Sequence, residues 1–168
     1  GYFTDVAVSA KGVVYATSSS DGQKKGIFRG NNNGALVNIN PAFLGATYKR
    51  IVIGIDPNDE NVVYFLLNTD GFGKSLSNFR GEVEWNALYR YRYLGGDGTG
   101  DSGVWEDLSA NLPAGSAFDR WNVQGSYDML VKVRPGNSKH VYIGGTNLYV
   151  STSAFSDSLN TQKIGGYK

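Results

Sequence analysis

The stretch IVIGIDPNDENVVY, residues 51–64, recurs further along the chain as MLVKVRPGNSKHVY, residues 129–142, with every position shifted by 78 residues and no gap. A shorter third version, VAVSAKGVVY, occupies residues 6–15. Each version has the pattern of a strand, a tight turn and a second strand that ends in Val-Tyr. This recurrence predicts a repeat protein, in which each unit buries its apolar faces against its neighbours.

The composition is typical of β-structure with many turns. The 168 residues include 23 glycines, and 13% of them are aromatic whereas only 18% are charged. A net charge of +1 at pH 7 argues against a nucleic-acid partner, which would require Lys and Arg clustered on one face. No apolar run approaches the roughly 18 residues of a membrane span. The absence of cysteine excludes disulfides, a thiol nucleophile and a Cys-based metal site.

Apolar and polar residues alternate between turn clusters, and no helical pattern of convincing length competes with them. The chain is therefore expected to be all-β, a single segment of residues 1–168. Its antiparallel four-stranded units, about three in number, are expected at approximately 1–40, 48–112 and 126–168. The expected strands are 5–8, 13–17, 26–29, 36–39, 50–55, 62–67, 87–93, 104–108, 129–133, 141–144 and 148–151. The third unit offers no clear fourth strand.

Residues 55–64, IDPNDENVVY, resemble the Asp-Pro and Val-Tyr element of bacterial neuraminidase-type and sortilin-type β-propeller repeats, and the resemblance covers all three units. It implies that each unit is a propeller blade. Residues 144–149, GGTNLY, and 164–167, IGGY, are also similar to repeat proteins exported to the surface of Bacteroidota-type bacteria. These resemblances imply a secreted or cell-surface protein. The initial Gly1 fits a mature or internal segment whose targeting signal lay upstream.

Repeats of this family carry an Asp-box, Ser/Thr-x-Asp-x-Gly-x-x-Trp, in the hairpin between the third and fourth strands. Two units have similar but degenerate boxes, which imply a structural role and do not by themselves support an enzyme activity. Their members are Thr99, Asp101, Gly103 and Trp105 in the second unit, and Asn32 and Gly34 in the first. The second box is one residue short before its Trp, and Val37 replaces the Trp of the first. In the third unit only Ser151 survives.

The strand order of a four-stranded blade assigns its loops to two faces. The Asp-box hairpins share one face. The second-to-third loops and the crossings between blades share the other, on which propeller ligands usually bind. The longest loops expected on this crossing face are 68–86 and 111–126, and long loops on a rigid scaffold often carry binding residues. The candidate ligand-binding residues are Tyr48, Phe79, Arg80, Trp85, Arg120 and Trp121.

Two interpretations remain open for the loop side chains. Trp85 and Trp121 either stack on sugar rings or a partner surface, or anchor the long loops on the blade, which we favour. A carboxylate pair for glycoside hydrolysis competes with ordinary solvated acids at four positions, Glu82, Glu84, Asp119 and Asp128.

Three further patterns have a structural alternative. Residues 89–93, YRYRY, are either an aromatic and cationic stripe for a polyanion or an ordinary half-buried strand. Residues 97–101, DGTGD, resemble a calcium loop but lack its bidentate Glu, so a glycine hairpin is the favoured interpretation and no cofactor is expected. His140 has no second His or Cys nearby in the sequence and is expected to be a surface residue rather than a metal ligand.

Long loops without a catalytic signature favour a noncatalytic binding or scaffold module of an extracellular bacterial protein, which recognises a glycan or a protein partner through the crossing face. The alternative is a glycoside hydrolase of the sialidase or xyloglucanase type, because those enzymes share this blade. The Phe-Arg-Ile-Pro element of sialidases is absent, since Phe28-Arg29 continues into Gly30-Asn31. A subunit of a larger secretion or adhesion machine is a third hypothesis.

Three units are fewer than the roughly four or more blades of a closed propeller. The end units of an open arrangement would expose apolar faces and unpaired strand edges. We therefore expect an arc of a larger propeller, completed by blades of the same parent chain or of another subunit. Expressed alone, such an arc is expected to be insoluble or oligomeric.

Overall fold

The computed structural model describes residues 2–30, 33–78, 80–113 and 121–167, and this part of the chain is all-β. It contains two short 3₁₀ helices, Gly100–Ser102 and Ser109–Asn111, and no α-helix. The strands are β1 (Phe3–Val8), β2 (Val14–Ser18), β3 (Gly26–Gly30), β4 (Leu36–Asn38), β5 (Tyr48–Ile55), β6 (Val62–Thr69), β7 (Lys74–Ser77), β8 (Val83–Tyr93), β9 (Gly103–Asp107), β10 (Leu130–Arg134), β11 (Asn137–Gly144), β12 (Asn147–Ser151) and β13 (Thr161–Gly166). Within the described segments, no helix has the length and apolar character needed to cross a membrane.

The strands form three antiparallel sheets in chain order. The first sheet has the order β1-β2-β3-β4, and the third has the order β10-β11-β12-β13. In the middle sheet β5, β6 and β8 follow one another, and the far edge of β8 pairs with two strands, β7 along Val83–Asn86 and β9 along Tyr89–Tyr93. The expected all-β fold of three four-stranded units is confirmed, with β7 as an addition to the second unit.

The fourth strand of the third sheet corrects the sequence analysis, which found none. β13 pairs with β12 from Thr161 opposite Ser151 to Gly166 opposite Asn147. Its sequence, TQKIGG, contains one large apolar residue, so the alternation that marks a half-buried strand is too weak to recognise. Backbone pairing to β12, rather than burial of side chains, defines this strand.

The insertion at residues 68–86 is a hairpin and not the long loop that its length indicated. β6 continues to Thr69, β7 follows after a short turn, and β8 begins at Val83. Gly73 makes the first turn possible, because it has a φ of +85° and a Cβ at this position would overlap the carbonyl oxygen of Asn86. The described residues of the insertion therefore extend the middle sheet through β7 and the first part of β8.

The middle sheet is packed between the other two. All eight residues of β6 are buried, and this burial on both faces explains its nearly continuous apolar sequence. The core between the first and middle sheets includes Tyr15, Ile27, Ile51, Ile53, Val63, Phe65, Leu67 and Tyr89. The core between the middle and third sheets includes Val52, Tyr64, Leu66, Leu88, Trp121, Val131, Val141 and Ile143.

The first strands of the sheets lie side by side, β1 against β5 and β5 against β10. This is the arrangement of blades around a propeller axis. We call the side of a sheet that points toward the preceding sheet of the chain its leading face, and the opposite side its trailing face. The three sheets are propeller-like blades that stack trailing face on leading face, and over the described residues they do not close into a ring.

Candidate binding site

A surface pocket of about 440 Å³ lies between the β7–β8 turn and the segment 122–125 that precedes the third sheet. Volumes of roughly 300–1,000 Å³ are usual for small-ligand sites. Six of the eight lining residues are polar or charged, and the full set is Asn78, Arg80, Glu82, Val83, Glu84, Asn122, Gln124 and Gly125. The pocket is therefore large enough for a small polar ligand.

The β7–β8 turn is built around the side chain of Asn78. Its Oδ1 accepts hydrogen bonds from the backbone N–H groups of Arg80 at 2.9 Å and Glu82 at 3.0 Å, and its Nδ2 donates to Oε2 of Glu82 at 2.7 Å. An Asn side chain that bonds to the backbone two residues on fixes a turn. This turn holds Arg80, an exposed residue, at the pocket.

Glu84 ties the opposite wall of the pocket to β8. Its two carboxylate oxygens accept hydrogen bonds from the backbone N–H groups of Val123 and Gly125, each at 3.1 Å. Hydrogen bonds to a charged acceptor are roughly twice as strong as those between neutral groups. Glu84 therefore positions the backbone of this wall.

Three consecutive residues of the same wall have positive φ angles, namely Gln124 at 48°, Gly125 at 64° and Ser126 at 88°. Glycine adopts such an angle without strain. For Gln124 and Ser126 it is uncommon and costs on the order of 1–3 kcal/mol each. Strained backbone of this kind persists only where its surroundings over-determine it, and it clusters at ligand clamps and active sites.

Side chains of the middle sheet supply the restraints. The Ser126 hydroxyl donates to Oδ1 of Asn68 at 2.7 Å. Nη1 of Arg50 donates to the carbonyl oxygens of Ser126 at 3.3 Å and Tyr127 at 3.1 Å. Together with Glu84, these bonds hold the strained segment from β5, β6 and β8.

Lys74 on β7 orders the chain further upstream. Its Nζ donates to the carbonyl oxygens of Ala110, at 2.9 Å, and Leu112. Burial lowers the pKa of the Lys74 ammonium group. These bonds satisfy carbonyl groups at the end of the 3₁₀ helix Ser109–Asn111 and fix the start of the crossing between the middle and third sheets.

The loop proposed to resemble a calcium site is a hydrogen-bonded turn. Oδ1 of Asp97 accepts hydrogen bonds from the backbone N–H of Thr99 at 3.0 Å and from its hydroxyl at 2.7 Å. The bond from the Thr99 side chain is the main reason why the pKa of Asp97 is lowered. Asp101 is exposed. In the described part of the chain, no group of three or more His, Asp or Glu side chains is placed to hold a metal ion.

The predicted ligand-binding residues do not form one cluster. Tyr48 and Trp85 belong to one cross-strand row of the middle sheet, because both lie opposite Thr69 on β6. Arg80 is not part of this row and lines the pocket between the middle and third sheets. Trp85 is half-buried. The residues of the sequence analysis that fall outside the described part of the chain are Asn32, Phe79, Asp119 and Arg120.

The structure corrects the expectation that Tyr48 and Trp121 present their rings to a ligand. Both side chains are buried. Trp121 packs in the core between the middle and third sheets, and Tyr48 packs in the core between the first and middle sheets. The anchoring interpretation therefore describes Trp121, which secures the end of the crossing to the sheets.

The Asp-box-like residues of the middle sheet also have a packing role. The Trp105 ring lies 4.7 Å from the ring of Tyr91 and 5.4 Å from that of Phe65, centroid to centroid. Gly103 approaches Tyr91 so closely that an added Cβ would be 2.5 Å from its ring. In the first sheet, Gly34 is exposed between β3 and β4 with a φ of +77°.

Sequence reasoning missed Gln124 and the side chains that hold its segment. Residues 124–126, Gln-Gly-Ser, contain a turn signal, but nothing in the sequence indicates strain or a pocket. Arg50 is separated from Ser126 by 76 positions. Their contact depends on the packing of two sheets and not on local spacing.

No protein-family model, curated protein or solved structure matches the chain. The chemistry of the site is therefore inferred from its own geometry.

Proposed function

We propose that the chain is a noncatalytic binding or scaffold module that recognises a glycan, or alternatively a protein partner, at the pocket between the β7–β8 turn and residues 122–125. The run of positive φ angles at residues 124–126, held by side chains from three strands, carries this proposal. A wall that is rigid before binding loses little conformational entropy on association.

The lining of the pocket favours a ligand rich in hydroxyl groups. It combines the donor groups of Arg80, the side-chain amide of Gln124 and the carboxylate of Glu82. A hydroxyl both donates and accepts hydrogen bonds, so a sugar can use all of these groups. A polyanion would meet two carboxylates, and like charges across an interface disfavour binding.

The carboxylates of the pocket support binding over hydrolysis. Hydrolysis of a glycoside requires two carboxyl groups that flank the scissile bond. Glu84 uses both of its oxygens on backbone N–H groups, and Glu82 accepts a hydrogen bond from Asn78. Glu84 cannot take a catalytic role without breaking contacts that shape the pocket, and Glu82 then has no second free carboxylate beside it in the pocket lining.

An extracellular setting is part of the same proposal. The resemblance of residues 55–64 and of the box at residues 99–105 to neuraminidase-type and sortilin-type repeats supports a secreted or cell-surface protein.

A glycan array probed with the labelled chain, followed by titration calorimetry with the strongest ligand, tests the proposal. Arg80→Ala and Gln124→Ala each remove an exposed polar side chain from the pocket, and each is expected to weaken binding about tenfold, which corresponds to about 1.4 kcal/mol. Lys24→Ala and Gln23→Ala are matched controls, because both residues are exposed between β2 and β3 and lie outside the pocket lining.

Equal affinities of the pocket variants and the control variants would contradict a binding site at this pocket. An array without any bound glycan would contradict the glycan as ligand, and a protein ligand lost with the same two variants would replace it. Hydrolysis of an arrayed glycan that Glu82→Gln abolishes would overturn the noncatalytic assignment.

A further inference from the structure

The leading face of the first sheet carries exposed apolar residues that neither of the other two sheets covers. Cross-strand pairs place Val6 opposite Ala16, Ala16 opposite Phe28, and Val8 opposite Val14. Residues opposite each other in a sheet share one face. Val6 is 63% exposed and Val8 is 61% exposed. The apolar residues of this face are Val6, Val8, Val14, Ala16, Phe28 and Leu36. Ala16 is buried among its neighbours, and Asn38 lies opposite Phe28 on the same face.

The corresponding rows of the other two sheets are buried. In the register of the strands, the row through Val6, Ala16 and Phe28 corresponds to Ile53, Phe65 and Tyr89 in the middle sheet, and to Val131, Ile143 and Tyr149 in the third. All six of these residues lie in the two cores between sheets. Each is covered by the trailing face of the preceding sheet. The similar residues on the leading face of the first sheet therefore suit contact with a further blade.

The trailing face of the third sheet resembles the trailing faces of the first and middle sheets, which cover the leading faces of the sheets that follow them. Trailing rows join Ala7, Tyr15 and Arg29 in the first sheet, Gly54, Tyr64 and Arg90 in the middle sheet, and Lys132, Tyr142 and Val150 in the third. All three rows have a tyrosine on the second strand of the sheet. The cationic residue is on the third strand in the first two sheets and on the first strand, as Lys132, in the third sheet. Tyr15 and Tyr64 are buried under the following sheet, whereas Tyr142 is only half-buried.

We infer that the chain associates head to tail with a second copy of itself. The trailing face of the third sheet of one copy packs on the leading face of the first sheet of the other. This contact continues an arrangement that the chain already uses twice, between its first and middle sheets and between its middle and third sheets. The inference is independent of the ligand pocket.

Two copies form two such contacts, related by a twofold axis. The pair contains six blades, which is within the range of roughly four to eight found in closed propellers. Each copy covers the open leading face of the other, so the closed pair exposes neither of them. A second copy is thus sufficient to cover both open faces.

One residue indicates that the contact between copies is looser than those within the chain. Gly54 allows the middle and third sheets to approach, because a Cβ there would lie 2.7 Å from the carbonyl oxygen of Val131. Lys132 occupies the corresponding position of the third sheet. Its methylene groups can cover apolar surface while the ammonium group stays in solvent, so we expect a reversible association.

Size-exclusion chromatography with light scattering, over a range of protein concentrations, tests the inference on the chain itself. At micromolar concentration we expect a dimer of twice the 18.2 kDa of one chain, which dissociates on dilution. A chain that stays monomeric and folded at every concentration would overturn the inference. Polymers in place of the dimer would overturn the closed pair of six blades.

The double change Val6→Glu and Val8→Glu places charges on the leading face. Both side chains are already mostly exposed, so the fold is expected to be retained, which far-ultraviolet circular dichroism checks. Dimerisation is expected to weaken at least about tenfold, the effect of about 1.4 kcal/mol. Val83→Glu is the matched control, because Val83 is 62% exposed on another sheet, and it is expected to leave the dimer unchanged.

The double change Leu130→Glu and Tyr142→Ser alters the trailing face of the third sheet. Either double variant alone is expected to dimerise at least about tenfold more weakly, because every contact between identical copies includes a changed face. A mixture of the two variants regains one contact between intact faces, so a heterodimer is expected. If the trailing-face variant dimerises like the unchanged chain, leading faces pair with each other and the head-to-tail arrangement is wrong.

Discussion

The middle sheet and the first sheet are built from the same repeat, yet one is buried on both faces and the other on only one. Every residue of β6 is buried, whereas β1 alternates between exposed and half-buried residues. Ile53 and Val6 occupy corresponding positions and are both β-branched, but only Ile53 is in a core. In a repeat protein, the neighbour of a unit therefore decides which of its apolar residues become core.

The largest effect is expected from a cavity in the middle sheet. Phe65 is fully buried, and its ring centroid lies 6.4 Å from that of Tyr15 and 5.4 Å from that of Trp105. Phe65→Ala is expected to lower the free energy of unfolding by about 3–5 kcal/mol, as measured by urea denaturation. Phe28→Ala is the matched change on the half-covered first sheet, with an expected loss less than half as large.

Equal losses for Phe65→Ala and Phe28→Ala would show that the two sheets are covered alike. That result would contradict the difference in burial between the two sheets. It would indicate that another surface covers the leading face of the first sheet during the denaturation experiment.

A change at a junction between sheets is expected to have an intermediate effect. Gly54→Ala adds a Cβ against the backbone of Val131, and overpacking of this kind typically costs about 1–3 kcal/mol. Gly95→Ala is the control, because a Cβ there would meet no atom within 4 Å. If both variants unfold at the same urea concentration, the middle and third sheets are not in close contact at Gly54.

Alkaline pH is expected to weaken the sheets through their buried tyrosines. Burial raises the pKa values of Tyr15, Tyr64, Tyr89 and Tyr91 above the ordinary 10.0. Above pH 10 the unfolded chain loses these protons while the folded chain keeps them. The stabilisation is therefore complete below pH 10 and is lost as the pH rises toward the folded pKa values.

An alkaline titration that follows circular dichroism and tyrosinate absorbance together measures this loss. The buried tyrosines are expected to ionise as the sheets unfold. Tyr89→Phe is expected to move the midpoint of unfolding to higher pH, because it removes one group that the unfolded chain ionises. An unchanged midpoint would show that another group drives alkaline unfolding.

The smallest effect is expected on the open leading face. Val8→Ala should change the free energy of unfolding of the monomer by less than about 0.5 kcal/mol, as is usual for exposed positions. Val63→Ala, at a fully buried position, provides the comparison. If Val8→Ala costs as much as Val63→Ala even at high dilution, the face is covered within the monomer.

Most of the fold could be predicted from the sequence because its inner strands are buried. The repeat of residues 51–64 at residues 129–142 marks β5, β6, β10 and β11, whose apolar patterns reflect cores on one or both faces. The outer strands β7 and β13 could not be predicted. Their sequences, KSLS and TQKIGG, are defined by backbone pairing, which leaves little trace in residue type.

The candidate site was only partly predictable. The crossing face and Arg80 follow from strand order and turn residues, but the burial of Trp121 depends on how the third sheet packs. The strain at residues 124–126 depends on Glu84 and Arg50, which reach the segment from distant parts of the sequence. Such contacts become visible only once the sheets are in place.

The complete burial of β6 also has a consequence for the order of synthesis. Its sequence, VVYFLLNT, has no charge and no proline, which is typical of segments that form cross-β assemblies when they are exposed. The ribosome completes the first sheet before β6 but makes β10 only afterwards. At roughly 5–20 residues per second, the side of β6 that packs on the third sheet stays exposed on the order of seconds. During that interval the nascent chain exposes its most aggregation-prone strand, to which a chaperone can bind.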